Sequence, residues 1–154
     1  MKPDHSRYHA GPPVASSAIA PGLIEAYETA RYHVIGPPRF ELILGRASTE
    51  LKVLYRSEGT HGAAWITACN PASEHLAVCA NRRRQADLIS DLDRLGLPWL
   101  PACGTDAQGR WPAEPACLAL RISLNAARDL ARKYGQNAIL WCAADAIPKL
   151  VLLR

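Results

Sequence analysis

Apolar positions along the chain fall into short runs and helical stripes that alternate, with proline- and glycine-rich breaks between them. Pro21 stands where the first position of a helix tolerates proline, and Ile24, Tyr27 and Tyr32 continue a helix that Gly36-Pro37-Pro38 stops. Phe40 to Leu44 predicts a strand. Ser48 is a candidate N-cap for a short helix striped by Leu51, Leu54 and Tyr55, with Gly59 and Gly62 bracketing its exit. The run Ala63-Ala64-Trp65-Ile66-Thr67-Ala68 fits a central strand buried on both faces, ending at an Asn70-Pro71 turn.

The longest helix is expected from Ser73, as N-cap, to Leu95, with Gly96 as the stop. Its stripe is Leu88, Leu92 and Leu95 with Ile89 alongside; extended backwards it reaches Gln85 and Asn81, while Arg82, Arg83 and Arg84 fan round the sides. A buried amide without partners costs about 1–3 kcal/mol, so Asn81 must clamp the Asn70-Pro71 turn or meet a ligand. Leu97 to Pro101 reads as an edge strand because of its two prolines. Gly104 to Trp111 is a loop, and Ala116 to Ile122 a strand antiparallel to the one before. Ser123 caps a helix through Leu124, Ala127, Leu130 or Ala131 and Tyr134, ended by Gly135; Ala138 to Cys142 and Leu150 to Leu153 are the last strands. Together these elements predict an α+β fold, a mixed and largely antiparallel sheet of about five to six strands packed by about four helices. Residues 1–20, with Pro3, Gly11, Pro12, Pro13, Ser16 and Ser17, read as a flexible leader, and residues 21–154 as a single domain.

Composition narrows the function classes. The chain has 154 residues, 49% apolar and 21% charged, enough to bury a core without metal or disulfide. No run of about 18 apolar residues offers a membrane span, and the opening Met1-Lys2-Pro3-Asp4-His5 lacks the apolar run of a signal peptide, so a cytoplasmic protein away from membranes is expected. The net charge of +4 is too small to announce a nucleic-acid binder. The five cysteines match no zinc spacing and are expected to be free, small hydrophobes of the core. The five histidines form no ligand pair on one helix, and phosphate-loop, dinucleotide and nucleophile-elbow motifs are missing, so neither metal nor cofactor is expected.

Three segments carry a resemblance. Trp65-Ile66-Thr67-Ala68-Cys69-Asn70-Pro71 is followed by Asn81; Gly104 to Trp111 is followed by Glu114; and Tyr134-Gly135-Gln136-Asn137-Ala138-Ile139 comes last. In that order they resemble the bacterial family catalogued as domain of unknown function 3293, over about residues 24–153. Its pattern runs from a Thr-Ala-x-Asn-Pro turn through a helix carrying Asn and a Trp-x-Glu segment to a Gly-Gln-x-Ala strand entry. The resemblance implies a single domain and points to these positions; it brings no activity. One departure stands out: in Trp111-Pro112-Ala113-Glu114-Pro115-Ala116 the Glu is displaced by one residue, and Ala116 replaces the expected hydroxyl.

From these residues we expect Asn70, Asn81, Glu114 and Gln136 to converge at one end of the sheet, in a polar cleft lined by Trp65 or Trp111 and rimmed by Arg82 or Arg84. Such a cleft would take a small polar or anionic, nucleotide-like ligand, with Glu114 as the acid or base if there is catalysis. The competing reading is a nucleic-acid or protein interaction domain that uses the arginine-rich helix faces.

Overall fold

A computed structural model of the chain describes residues 18–154; of the expected leader, residues 1–17 lie outside the described residues. In chain order the elements are α1 (Pro21–Thr29), β1 (Arg31–Val34), β2 (Phe40–Leu42), α2 (Thr49–Glu58), β3 (Ala63–Ile66), a short 3-10 turn (Pro71–Ser73), α3 (Val78–Arg94), β4 (Trp99–Thr105), β5 (Glu114–Leu120), α4 (Leu124–Lys133), β6 (Ala138–Cys142) and β7 (Pro148–Leu152). The strands form one curled sheet of seven in the order β2-β1-β4-β5-β3-β6-β7. The α+β class stands, with more strands than expected and every ladder antiparallel rather than mixed.

The additional strand is β1. Its Tyr32 continues the apolar stripe of α1 in sequence, yet α1 ends at Thr29 and Tyr32 and Val34 are buried in alternation with more exposed neighbours. The segment around Leu97 to Pro101 is not an edge: β4 lies between β1 and β5. Its prolines are tolerated because the β1 ladder stops at the Val34–Ala102 pair, and beyond it the Pro101 carbonyl accepts from Ile35 N at 2.8 Å.

Helix ends follow local chemistry. Ser48 and Ser123 accept from Leu51 N and Ala126 N, each at 3.1 Å, as their N-cap positions predict. Ser73 does not cap α3; it lies in the preceding turn at φ 60°, and α3 starts at Val78 behind Ala77, which offers no capping side chain. Gly96 ends α3 at φ 68°, and Leu97 N bonds to Leu92 O at 3.0 Å; Leu95, expected in the stripe, is 61% exposed.

The two faces of the sheet bury separate clusters. Ala63 and Trp65 of β3 join Ala116, Leu118 and Leu120 of β5 beneath Leu51 and Tyr55 of α2. Ala64 and Ile66 join Cys117 and Ala119 beneath Leu88 and Leu92 of α3 and Ala127 and Ala131 of α4. Cys69, Cys117 and Cys142 are buried as small hydrophobes, whereas Cys79 is exposed and Cys103 half-buried, against the expectation that all are core residues.

Candidate functional site

Just past β3 the chain leaves its ladder while still buried, and its backbone groups need new partners. Side chains from α3 and the α4–β6 connection supply them. Ala68 N donates to Gln85 Oε1 at 3.2 Å, and Ala68 O accepts from Arg84 Nε at 2.7 Å. Cys69 N donates to Thr67 Oγ1 at 3.1 Å, Cys69 O accepts from Gln136 Nε2 at 2.9 Å, and Asn70 N donates to Asn81 Oδ1 at 2.9 Å. The turn that follows holds three non-glycine residues at positive φ: Asn70 at 46°, Ala72 at 54° and Ser73 at 60°. Such backbone costs about 1–2 kcal/mol per residue and persists where surroundings over-determine it. Gly135 is part of that clamp: its carbonyl accepts from Ala72 N at 2.8 Å, and a Cβ on it would stand 3.0 Å from Pro71 Cβ.

The clamp aims Asn70. Its Oδ1 accepts from Asn81 Nδ2 at 2.7 Å and from Leu76 N at 3.0 Å, and its Nδ2 donates to Glu114 Oε2 at 3.1 Å. Glu114 opens β5 on the same face as Trp65, since Trp65 pairs with Leu118 and strand residues alternate faces. Burial pushes its carboxyl above the ordinary value, while the Asn70 and Thr67 side chains and His75 pull the other way.

Beside this carboxyl lies a cavity of about 250 Å³. Leu23 and Ala26 of α1, Ala30 just beyond it, and Ile139, Leu140 and Leu150 give it apolar walls; Tyr27, Tyr32, Trp65 and Trp111 contribute aromatic rings, and Asn70, Glu114, His75 and Gln136 polar groups. Among the described residues no Lys or Arg lines it. Trp65 is 6% exposed and meets Tyr32 edge to face at 5.0 Å, and its Nε1 has no hydrogen-bond partner among the described residues. Gly104 makes room for that ring, because a Cβ there would stand 2.9 Å from Trp65 Cη2. Helix α1 is tied over the cavity: Tyr32 OH donates to Tyr27 O at 2.5 Å, and Asn137 Nδ2 donates to Tyr27 OH at 3.0 Å, which also shares a hydrogen bond with Ser73 Oγ. Trp111, 37% exposed, lies under the Arg110 guanidinium at 4.8 Å. Arg110 is held by Asp106 through N, Nε and Nη2 at 2.7, 2.9 and 3.0 Å, and that pairing pushes the Asp106 carboxyl down to about 2.

Asn70, Asn81, Glu114 and Gln136 thus meet at one end of the sheet, and Asn70, Glu114, Gln136 and Trp111 line the cavity. Asn81 stands behind Asn70 rather than on the cavity wall. Arg84 is no rim residue: its Nε serves Ala68 O, its Nη2 serves Tyr134 O, and its guanidinium lies 5.9 Å from the Tyr134 ring. Arg82 is exposed on α3 and does not line the cavity. Sequence reasoning missed Tyr27, Tyr32 and Asn137. Tyr32 was hidden in a helical stripe; Asn137, beside Gln136 in the same motif, was the available signal. Among the described residues no group of three His, Cys, Asp or Glu side chains could hold a metal ion, and no helix is long and apolar enough to cross a membrane.

The family model described as Protein of unknown function (DUF3293), the family that the motifs resemble, matches residues 66–139, the segment that carries the clamp, Glu114 and Gln136. No curated protein and no solved structure matches the chain.

Proposed function

We propose that the protein binds a small organic ligand in the cavity between α1 and the sheet, with Glu114 as its polar anchor. The observation that carries this reading is the carboxyl of Glu114, held by Asn70 at 3.1 Å against the wall of a largely apolar cavity. A desolvated carboxyl is costly to keep unless it serves recognition or proton transfer, and its raised pKa suits an acid–base role should the ligand react. The unpartnered Trp65 Nε1 is a second polar group awaiting a partner. The anionic, nucleotide-like ligand expected from sequence finds no support, because the lining offers a carboxyl and, among the described residues, no Lys or Arg. The same reading takes the protein to be bacterial and cytoplasmic, in keeping with five free cysteines.

A ligand-observed NMR screen of small neutral, cationic and anionic fragments tests it. Binders are expected in the wild type, and Glu114→Gln should weaken them by about tenfold or more. An empty screen, or binders indifferent to Glu114→Gln, would sink the reading. The nucleic-acid or protein docking alternative rests on Arg82 and Arg83, exposed on α3; Asp87 and Asp93 of the same helix and Asp129 of α4 are exposed with them, giving a face of mixed sign. A gel shift that weakens steeply with salt would favour it.

A further inference from the structure

Resting on the cavity reading above, we propose that the ligand is an organic cation, an alkylated ammonium whose chain carries an oxygen, seated among Tyr27, Tyr32, Trp65 and Trp111 with its charge toward Glu114. The cavity combines four aromatic rings with one carboxyl. Aromatic faces carry negative potential and attract ammonium groups, most strongly where water is excluded. Tetraalkylated or partly alkylated ammonium ions also present an apolar shell, which suits the Leu23, Ala26 and Leu150 side of the wall.

The nearby arginines are already committed. The Arg110 guanidinium, the cation over Trp111, is paired with Asp106 through two bonds, and Arg84 is committed to two backbone carbonyls. Neither lines the cavity; among the described residues its wall holds no Lys or Arg, and His75 is the basic side chain on it. Glu114 is desolvated with Asn70 on Oε2, and a cation brought beside it would offset the penalty that burial imposes on its charged form. An anion would meet that same carboxyl as a repulsive neighbour.

The oxygen follows from Trp65. Its Nε1–H is buried, has no hydrogen-bond partner among the described residues, and belongs to a ring on the cavity wall. An ammonium offers only positive charge there, so a complementary ligand carries a hydroxyl or carbonyl oxygen within reach of the ammonium head.

The test is calorimetric titration of the full chain with three probes of matched shape: hydroxyethyl-trimethylammonium, its uncharged carbon isostere neohexanol, and the anion tert-butylacetate. The ammonium is expected to bind about tenfold or more tightly than neohexanol, with the anion weakest. Glu114→Gln should abolish the preference for the cation, and Trp65→Phe should weaken both hydroxyl-bearing probes. Circular dichroism of each variant establishes that it is folded. Equal binding of ammonium and alcohol, or tightest binding of the anion, overturns the cation inference and leaves the cavity reading standing. If none of the three binds while the fragment screen yields Glu114-dependent ligands, the cation inference alone fails. If that screen is empty too, both fail.

Discussion

Asn81 and Asn70 exchange two hydrogen bonds: the Asn81 amide carbonyl accepts from Asn70 N at 2.9 Å, and the Asn81 Nδ2 donates to Asn70 Oδ1 at 2.7 Å. This reciprocal pair places Asn70 at φ 46° and leaves its own Nδ2 for Glu114. A single α3 side chain therefore fixes the backbone of the turn and, one residue further, the carboxyl on the cavity wall.

Asn81→Ala removes both bonds at once. The expected cost is about 1–3 kcal/mol, read as a melting temperature lower by roughly 3–10 °C. Asn81→Asp keeps the acceptor for Asn70 N but turns a donor toward Asn70 Oδ1 into a second negative oxygen near Glu114. It should be at least as destabilising at neutral pH and recover in acid, where the new carboxyl is protonated. Thermal melts of both variants at pH 4 and pH 7 decide this; a melt of Asn81→Ala equal to wild type would remove the clamp.

How much of this site was legible in the sequence depends on whether the signal was local. Ser48 and Ser123 were found because a cap is read within four residues. Asn81 was placed near the turn because helical spacing carried the stripe of Leu88 and Gln85 back to it, and the structure puts it there. Tyr32 misled, since a residue five places after Tyr27 continues a helical stripe and equally starts a strand once the helix ends at Thr29. Arg84 could not be assigned at all: its partners, Ala68 O and Tyr134 O, are set by how α3 docks between β3 and α4. A cleft near these residues was expected, but its apolar wall was invisible, because it depends on α1 folding back over β1 and on the space left by Gly104.

Cysteine reactivity should be sharply graded. Cys79 is exposed, while burial pushes the thiols of Cys117 and Cys142 up to about 12 and raises that of Cys69 as well. Only thiolate reacts, so the native protein at pH 8 should show rapid modification of Cys79 by a disulfide reagent, slower reaction at half-buried Cys103, and none at the buried three. All five should react in denaturant. Removal of the fast phase by Cys79→Ser identifies the residue; a fast phase that survives contradicts the burial described.

Gly104→Ala separates space from backbone. Gly104 is not at positive φ, so alanine fits its backbone, but the new Cβ would stand 2.9 Å from Trp65 Cη2. Trp65 must shift, at a cost of about 1–3 kcal/mol, with a changed near-ultraviolet spectrum and weakened ligand binding. Gly109→Ala is the control: nothing lies within 4 Å of its Cβ, but φ is +68°, so a cost of about 1–2 kcal/mol is expected without any spectral change at Trp65. Equal spectra for the two variants would show that Gly104 does not shape the cavity.

Glu114 sets a pH dependence whose sign is the reverse of an ordinary ion-paired carboxylate. Burial raises its folded-state pKa above the ordinary 4.5, so the folded protein holds this proton more tightly than the unfolded chain. The contribution is fully present below the ordinary value and is lost as pH rises through the raised one. Asp91 and Asp106, both lowered by their Lys and Arg partners, act oppositely, losing stability as pH falls. Comparison with Glu114→Gln isolates the one group, since glutamine keeps an acceptor for Asn70 Nδ2. Denaturant unfolding from pH 4 to 8 should show the variant gaining on wild type as pH rises, then levelling off above the raised pKa. A difference that shrinks with rising pH would mean that Glu114 is stabilised as a carboxylate, and the balance between burial and its Asn70 hydrogen bond would run the other way.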